Sequence, residues 1–133
     1  MTEKYRHDIF ISSSSKVDRR WVEEFISALE DAGITNFFDI RDIKPGELWK
    51  DKIEKALRDS RTLVLILSVT GEVSPWVFFE LGAALADNKR IIPVVPEDVD
   101  WKDIPPILAQ FQFLKESSAK EAGKRVAEIL GTN

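Results

Sequence analysis

Leu63 to Leu67 are five consecutive aliphatic residues, Leu-Val-Leu-Ile-Leu, bounded by Thr62 and Ser68. A short apolar run with no alternation fits a strand that is buried on both faces. Such strands belong to parallel sheets covered by helices on each side. Asp8-Ile-Phe-Ile-Ser12 and Ile91 to Val95 are shorter runs of the same kind. Helical periodicity fills the intervals between them, so the chain reads as α/β.

The expected order is strand then helix, repeated. After the strand at 8–12, Asp18 can cap a helix running to about Ala32. Val22, Phe25, Ile26 and Leu29 form its apolar face, and Gly33 is its stop. Ile34 to Asp39 reads as a second strand, followed by a charged loop from Ile40 to Gly46 with a Pro-Gly turn. A helix carrying Trp49, Ile53, Ala56 and Leu57 precedes the strand Thr62 to Ser68. Ser74 and Pro75 then form a helix start, with Ser as cap and Pro at the first position. That helix is expected to reach about Asn88. Ile91 to Val95 is a fourth strand, and Pro96 to Pro106 reads as loop. Gln110 to Leu114 is expected as a fifth strand, and a last helix turns Ala119, Ala122, Val126 and Leu130 inward. Five strands in 133 residues imply one domain with the flavodoxin-like strand order 2-1-3-4-5 and helices on both faces.

Composition removes whole classes of chemistry. The chain has no cysteine and one histidine, His7. Disulfides, a Cys nucleophile, iron–sulfur and zinc-ribbon sites and multi-His metal centres are excluded, so no metal site is expected. His7 is read as preceding the first strand, a poor place for a catalytic triad. Net charge is −4, which argues against loose binding to nucleic acid or anionic membrane. No apolar run approaches the ~18 residues needed to span a bilayer, and no apolar signal region opens the chain. The expected location is the cytoplasm.

In this architecture ligands bind beyond the carboxyl ends of the strands, where the strand order reverses. Here that point lies between strands one and three. Ser12 to Lys16 and Ser68 to Trp76 should meet there. The helix that follows is unusual: from Pro75 to Ala86 its only charged residue is Glu80. A helix that is apolar all round is expected to be buried. A carboxylate within it costs about several kcal/mol unless it is paired or faces a cavity. Trp76, four residues earlier, shares its face. Glu80 is therefore either a functional acid beside the crevice, or paired with Arg61 or Arg90, or at the solvent edge. Ser12 to Ser15 can hold phosphates or simply cap a helix. A Walker A sequence is absent. The strand ends at Ser12 and Ser68 lack the acidic cluster of a phospho-relay receiver.

Asp8-Ile-Phe-Ile-Ser-Ser-Ser-Ser-Lys-Val-Asp18, Phe38-Asp39, Asp42-Ile-Lys-Pro-Gly46, Trp49, Ser60, Ser68 and Ser74-Pro-Trp-Val-Phe-Phe-Glu80-Leu occur in this order across nearly the whole chain. Together they resemble a Toll/interleukin-1 receptor (TIR) domain of the bacterial kind. Ser13 departs from the pattern, since many relatives carry an aromatic there. Some TIR domains are scaffolds that signal by TIR–TIR assembly. Others cleave NAD+ at the nicotinamide–ribose bond, with a glutamate in a W-x-x-x-E segment. Trp76 to Glu80 matches that segment.

The resemblance implies an NAD+ glycohydrolase or ADP-ribosyl cyclase, with Glu80 catalytic and NAD+ as substrate, not cofactor. Ser13 and Ser14 are candidate contacts to ribose or phosphate, and Lys44 to phosphate. Phe38, Trp49 and Trp76 are candidate pocket walls. It also implies a homo-oligomer using the loop 40–46, the BB loop of the family. The expected setting is bacterial anti-phage defence, with the domain part of a longer protein carrying a sensor or oligomerisation domain. The alternatives are a non-enzymatic TIR scaffold, a nucleoside deoxyribosyltransferase-like enzyme, or a flavin carrier. Product, trigger and assembly geometry are left open.

Overall fold

The computed structural model describes residues 7–14, 16–38, 49–70 and 75–131. Five strands form one parallel sheet in the order β2-β1-β3-β4-β5, as expected. They are β1 (His7–Ser13), β2 (Asn36–Phe38), β3 (Ser60–Ile66), β4 (Arg90–Val95) and β5 (Leu114–Lys115). The helices are α1 (Arg19–Asp31), α2 (Trp49–Arg58), α3 (Pro75–Ala86) and α4 (Ala119–Gly131).

The pleat divides the core into two layers, because successive strand residues point to opposite faces. Phe10, Leu63, Leu65, Ile91 and Val95 pack against α2 and α3. Ile9, Ile11, Val64, Ile66, Ile92 and Val94 pack against α1 and α4. The aliphatic run in β3 feeds both layers alternately, and that is why it shows no alternation of its own.

Local chemistry sets the helix ends. The Asp18 carboxylate caps α1 by accepting the Arg20 amide at 3.0 Å. Gly33, at φ 80°, ends α1 in a Schellman turn: the amides of Gly33 and Ile34 donate to the carbonyls of Glu30 and Leu29. Asn88, at φ 55°, does the same for α3. Beside it, Lys89 is buried and donates to the Ser60 carbonyl at 2.6 Å while pairing with Asp87 at 3.1 Å. That lysine ties the amino ends of β3 and β4 together, at the opposite end of the sheet from Ser12 and Ser68.

Several expectations need correction. β3 starts two residues earlier than read, at Ser60, because Ser60 pairs with His7 and its hydroxyl bonds the Ala56 carbonyl. β5 is Leu114–Lys115 and not 110–114, since Pro106–Gln110 coil into a 3-10 turn. A second 3-10 turn, Trp101–Asp103, lies within the stretch read as loop. His7 opens β1 rather than preceding it, and its ring lies 5.7 Å from that of Phe37. α3 is not buried all round: Phe78 is 42% exposed and Gly82 faces open space. No helix among the described residues is long and apolar enough to cross a membrane.

Candidate functional site

β1 and α3 build the site. Ile9 to Ser12 are buried; β1 pairs with β3 from His7 to Ser13 and with β2 from Ile9 to Ile11. Phe10 belongs to the α2–α3 layer, so the pleat turns Ser12 to that side as well. Among the described side chains of α3, Val77, Glu80, Leu81 and Ala84 are buried. Their i, i+3, i+4, i+7 spacing is one helix face laid on the sheet. Glu80 therefore enters the core with its apolar neighbours and is fully buried.

There the Ser12 hydroxyl donates to Glu80 Oε1 at 2.7 Å. This short bond links residues 68 positions apart. Neither Arg61 nor Arg90 is the partner the sequence suggested. Arg61 is exposed, and Arg90 reaches the Ile129 carbonyl at 3.4 Å. The acid thus sits at the carboxyl end of β1, beside the point where the strand order reverses. His7 lies at the other end of β1, roughly 17 Å away at ~3.3 Å per residue, too far to share a triad.

The other candidates fall in different places. Ser14 is buried and organises the turn after β1. Its amide donates to the Ile66 carbonyl at 2.9 Å, and its hydroxyl accepts from the Lys16 amide at 3.3 Å. The Ser13 hydroxyl donates to the Ser14 carbonyl at 3.1 Å. The pleat sets Ser13 on the α1–α4 side, with Ile9 and Ile11. Phe38 packs on that side too, opposite Glu80. Its neighbour Phe37 is the aromatic on the Glu80 side, stacked on Phe10 at 5.4 Å.

Trp49 opens α2 and Trp76 is the second residue of α3, but their side chains lie outside the described residues. Lys44, the rest of the loop 40–46, and Ser74 lie outside them as well. A cavity of about 190 Å³ also opens at the carboxyl ends of β3 and β4, lined by Lys16, Trp21, Ser68, Val69 and Pro96. It lies toward α1, and Glu80 is not in its wall.

The sequence placed Ser12 in the loop that can hold phosphates, and did not pair it with Glu80. Alternation from Phe10 was a signal for its direction. The helix covering that face was not legible, because the crossover side is a property of the assembled sheet.

A model of the TIR domain matches residues 9–130. The 2' cyclic ADP-D-ribose synthase AbTIR of Acinetobacter baumannii is 26% identical over 132 residues, 93% of this chain and 49% of that protein. The NAD(+) hydrolase PdTIR of Paracoccus denitrificans is 26% identical over 137 residues, 98% of this chain and 45% of that protein. In fold, the chain is similar to a metazoan TIR-STING receptor from C. gigas, with TM-score 0.74 and 22% identity, over 98% of this chain and 41% of that one. The chain spans between a tenth and about half of the length of the curated relatives it matches. The match of the family model over almost the whole described sheet places the chain in the TIR domain family.

Proposed function

We propose that this TIR domain cleaves NAD+ at the nicotinamide–ribose bond, with Glu80 as the catalytic carboxylate. The observation that carries the reading is the fully buried Glu80, held at the carboxyl end of β1 by Ser12. An acid kept in that position at the cost of burial is typical of a functional group. Two of the relatives are named for making 2' cyclic ADP-D-ribose and for hydrolysing NAD(+), which supports the same reaction here.

The chemistry is simple for a carboxylate. Breaking the C1′–N bond builds positive charge on the ribose, as in glycoside cleavage. The nicotinamide ring is cationic before cleavage and leaves neutral, so no general acid is required. Glu80 accepts hydrogen bonds from the 2′- and 3′-hydroxyls and stabilises the oxocarbenium-like state. Water attack yields ADP-ribose, while attack from within the ADP-ribose moiety yields a cyclic isomer.

The proposed roles of the other residues are these. Ser13 and Ser14 contact ribose or phosphate from the turn after β1. Lys44 meets phosphate, and Trp49 and Trp76 wall the pocket; Phe38, packed on the opposite face of the sheet, is left out of it. NAD+ is substrate, and no cofactor takes part. The loop 40–46 of one copy completes the site of the next, so assembly controls turnover. The setting is the cytoplasm of a bacterium, in defence against phage.

The test is NAD+ consumption by the purified chain, dilute and then crowded, with products separated and Glu80→Ala alongside. Nicotinamide release that the variant lacks is the expected result. An unchanged NAD+ pool under every assembled condition would overturn the enzyme reading and favour a scaffold that works by TIR–TIR contact.

A further inference from the structure

We infer that Ser12 is a positioning residue for the reaction: its hydroxyl fixes the orientation of the Glu80 carboxylate toward the ribose. This rests on the reading of Glu80 as the group that meets the substrate.

The two partners differ in stiffness. Ser12 has a short side chain on a central strand, paired through the register Ser12 with Leu65, and is 1% exposed. Glu80 has three side-chain torsions, and the terminal one is broad. An unanchored glutamate would lose rotational freedom only when substrate arrives, and that ordering would weaken the transition-state contact. The Ser12 hydroxyl has one proton, and at 2.7 Å it is given to Oε1. The bond sets one oxygen in place before substrate binds. A carboxylate offers about four acceptor lone pairs, so one donor from Ser12 is compatible with bonds from a ribose diol.

The bond also reaches across the fold. It joins the carboxyl end of β1 to the middle of α3. A functional group supported from a rigid neighbouring strand is better placed than one held by its own helix alone. The bond thereby ties α3 to the sheet at a polar contact beside the apolar side chains of β1, β3, α2 and α3.

The experiment measures kcat and KM for NAD+ with the wild-type chain, Ser12→Ala and Ser12→Thr, under assembled conditions and below the melting temperature of each. Loss of a hydrogen bond to a charged group predicts a fall in kcat of about ten- to a hundredfold for Ser12→Ala, with KM changed by less than about threefold. Ser12→Thr keeps the hydroxyl and recovers most of kcat. If the added methyl prevents folding, Ser12→Cys replaces it as a near-isosteric weak donor, with kcat between the wild-type and alanine values. A purely structural serine would lower the melting temperature of Ser12→Ala and leave kcat within about twofold of wild type, overturning the inference while the NAD+ reading stood. A wild-type chain that cleaves no NAD+ overturns both.

Discussion

At the scale of the residue, the decisive fact is a charge in the wrong solvent. Glu80 is fully buried in a helix whose other eleven residues are uncharged. Burial of this kind is costly unless polar partners offset it. Glu80→Gln tests that directly. The amide has the same shape, and its oxygen still accepts from Ser12. Unfolding free energy in urea is therefore expected to stay within about 2 kcal/mol of wild type. NAD+ turnover is expected to fall at least about a hundredfold. Strong destabilisation with turnover preserved would make Glu80 a structural residue. The misfit itself was legible in the sequence, as the lone acid in Pro75 to Ala86. Its partner was not, because hydrogen bonds between residues 68 apart leave no periodic trace.

At the scale of the element, α3 and α4 show how alike two helices can read while packing differently. Gly123 lies inside α4, where a Cβ would come 2.6 Å from the Ala28 Cβ and 2.9 Å from the Phe25 carbonyl oxygen. The glycine lets α4 approach α1 backbone to backbone. Gly123→Ala improves helix propensity by about 1 kcal/mol. The clash outweighs that gain, and a net loss of about 1–3 kcal/mol is expected in thermal or urea melts. Gly82 on α3 is the control: nothing lies within 4 Å of its Cβ position. Gly82→Ala is expected to stabilise by roughly 0.5–1 kcal/mol. The same substitution thus has opposite signs on two helices. Periodicity predicted α4 with its inward Ala119, Ala122 and Val126, whereas α3, read as apolar all round, offered no inward face. It could not show which glycine is crowded, since crowding depends on the neighbouring helix. It also overstated the burial of α3, because an apolar composition does not say that every face is covered.

At the scale of the whole molecule, the sheet order places the carboxyl ends of β1 and β3 together, and with them Ser12, Ser14 and the buried Glu80. The proposed dependence on assembly is a property of this scale. Turnover per chain should rise with protein concentration if one copy completes the site of another, as mass action requires. A light-scattering series run with the NAD+ assay checks it; turnover per chain that stays flat while assembly grows would show that a single copy is complete. The sequence by itself determined the α/β class, the number and order of strands, the caps at Asp18 and Gly33, and the anomalous acid in α3. These follow from hydrophobic period, turn chemistry and composition, which act over a few residues. Only the tertiary structure decided that Ser12 holds Glu80, that Phe37 and not Phe38 shares its layer, and that β5 begins at Leu114. Those depend on which helix covers which face of the sheet and on one-residue shifts in register. A one-residue shift reverses every side chain of a strand, and local sequence patterns carry too little information to set it.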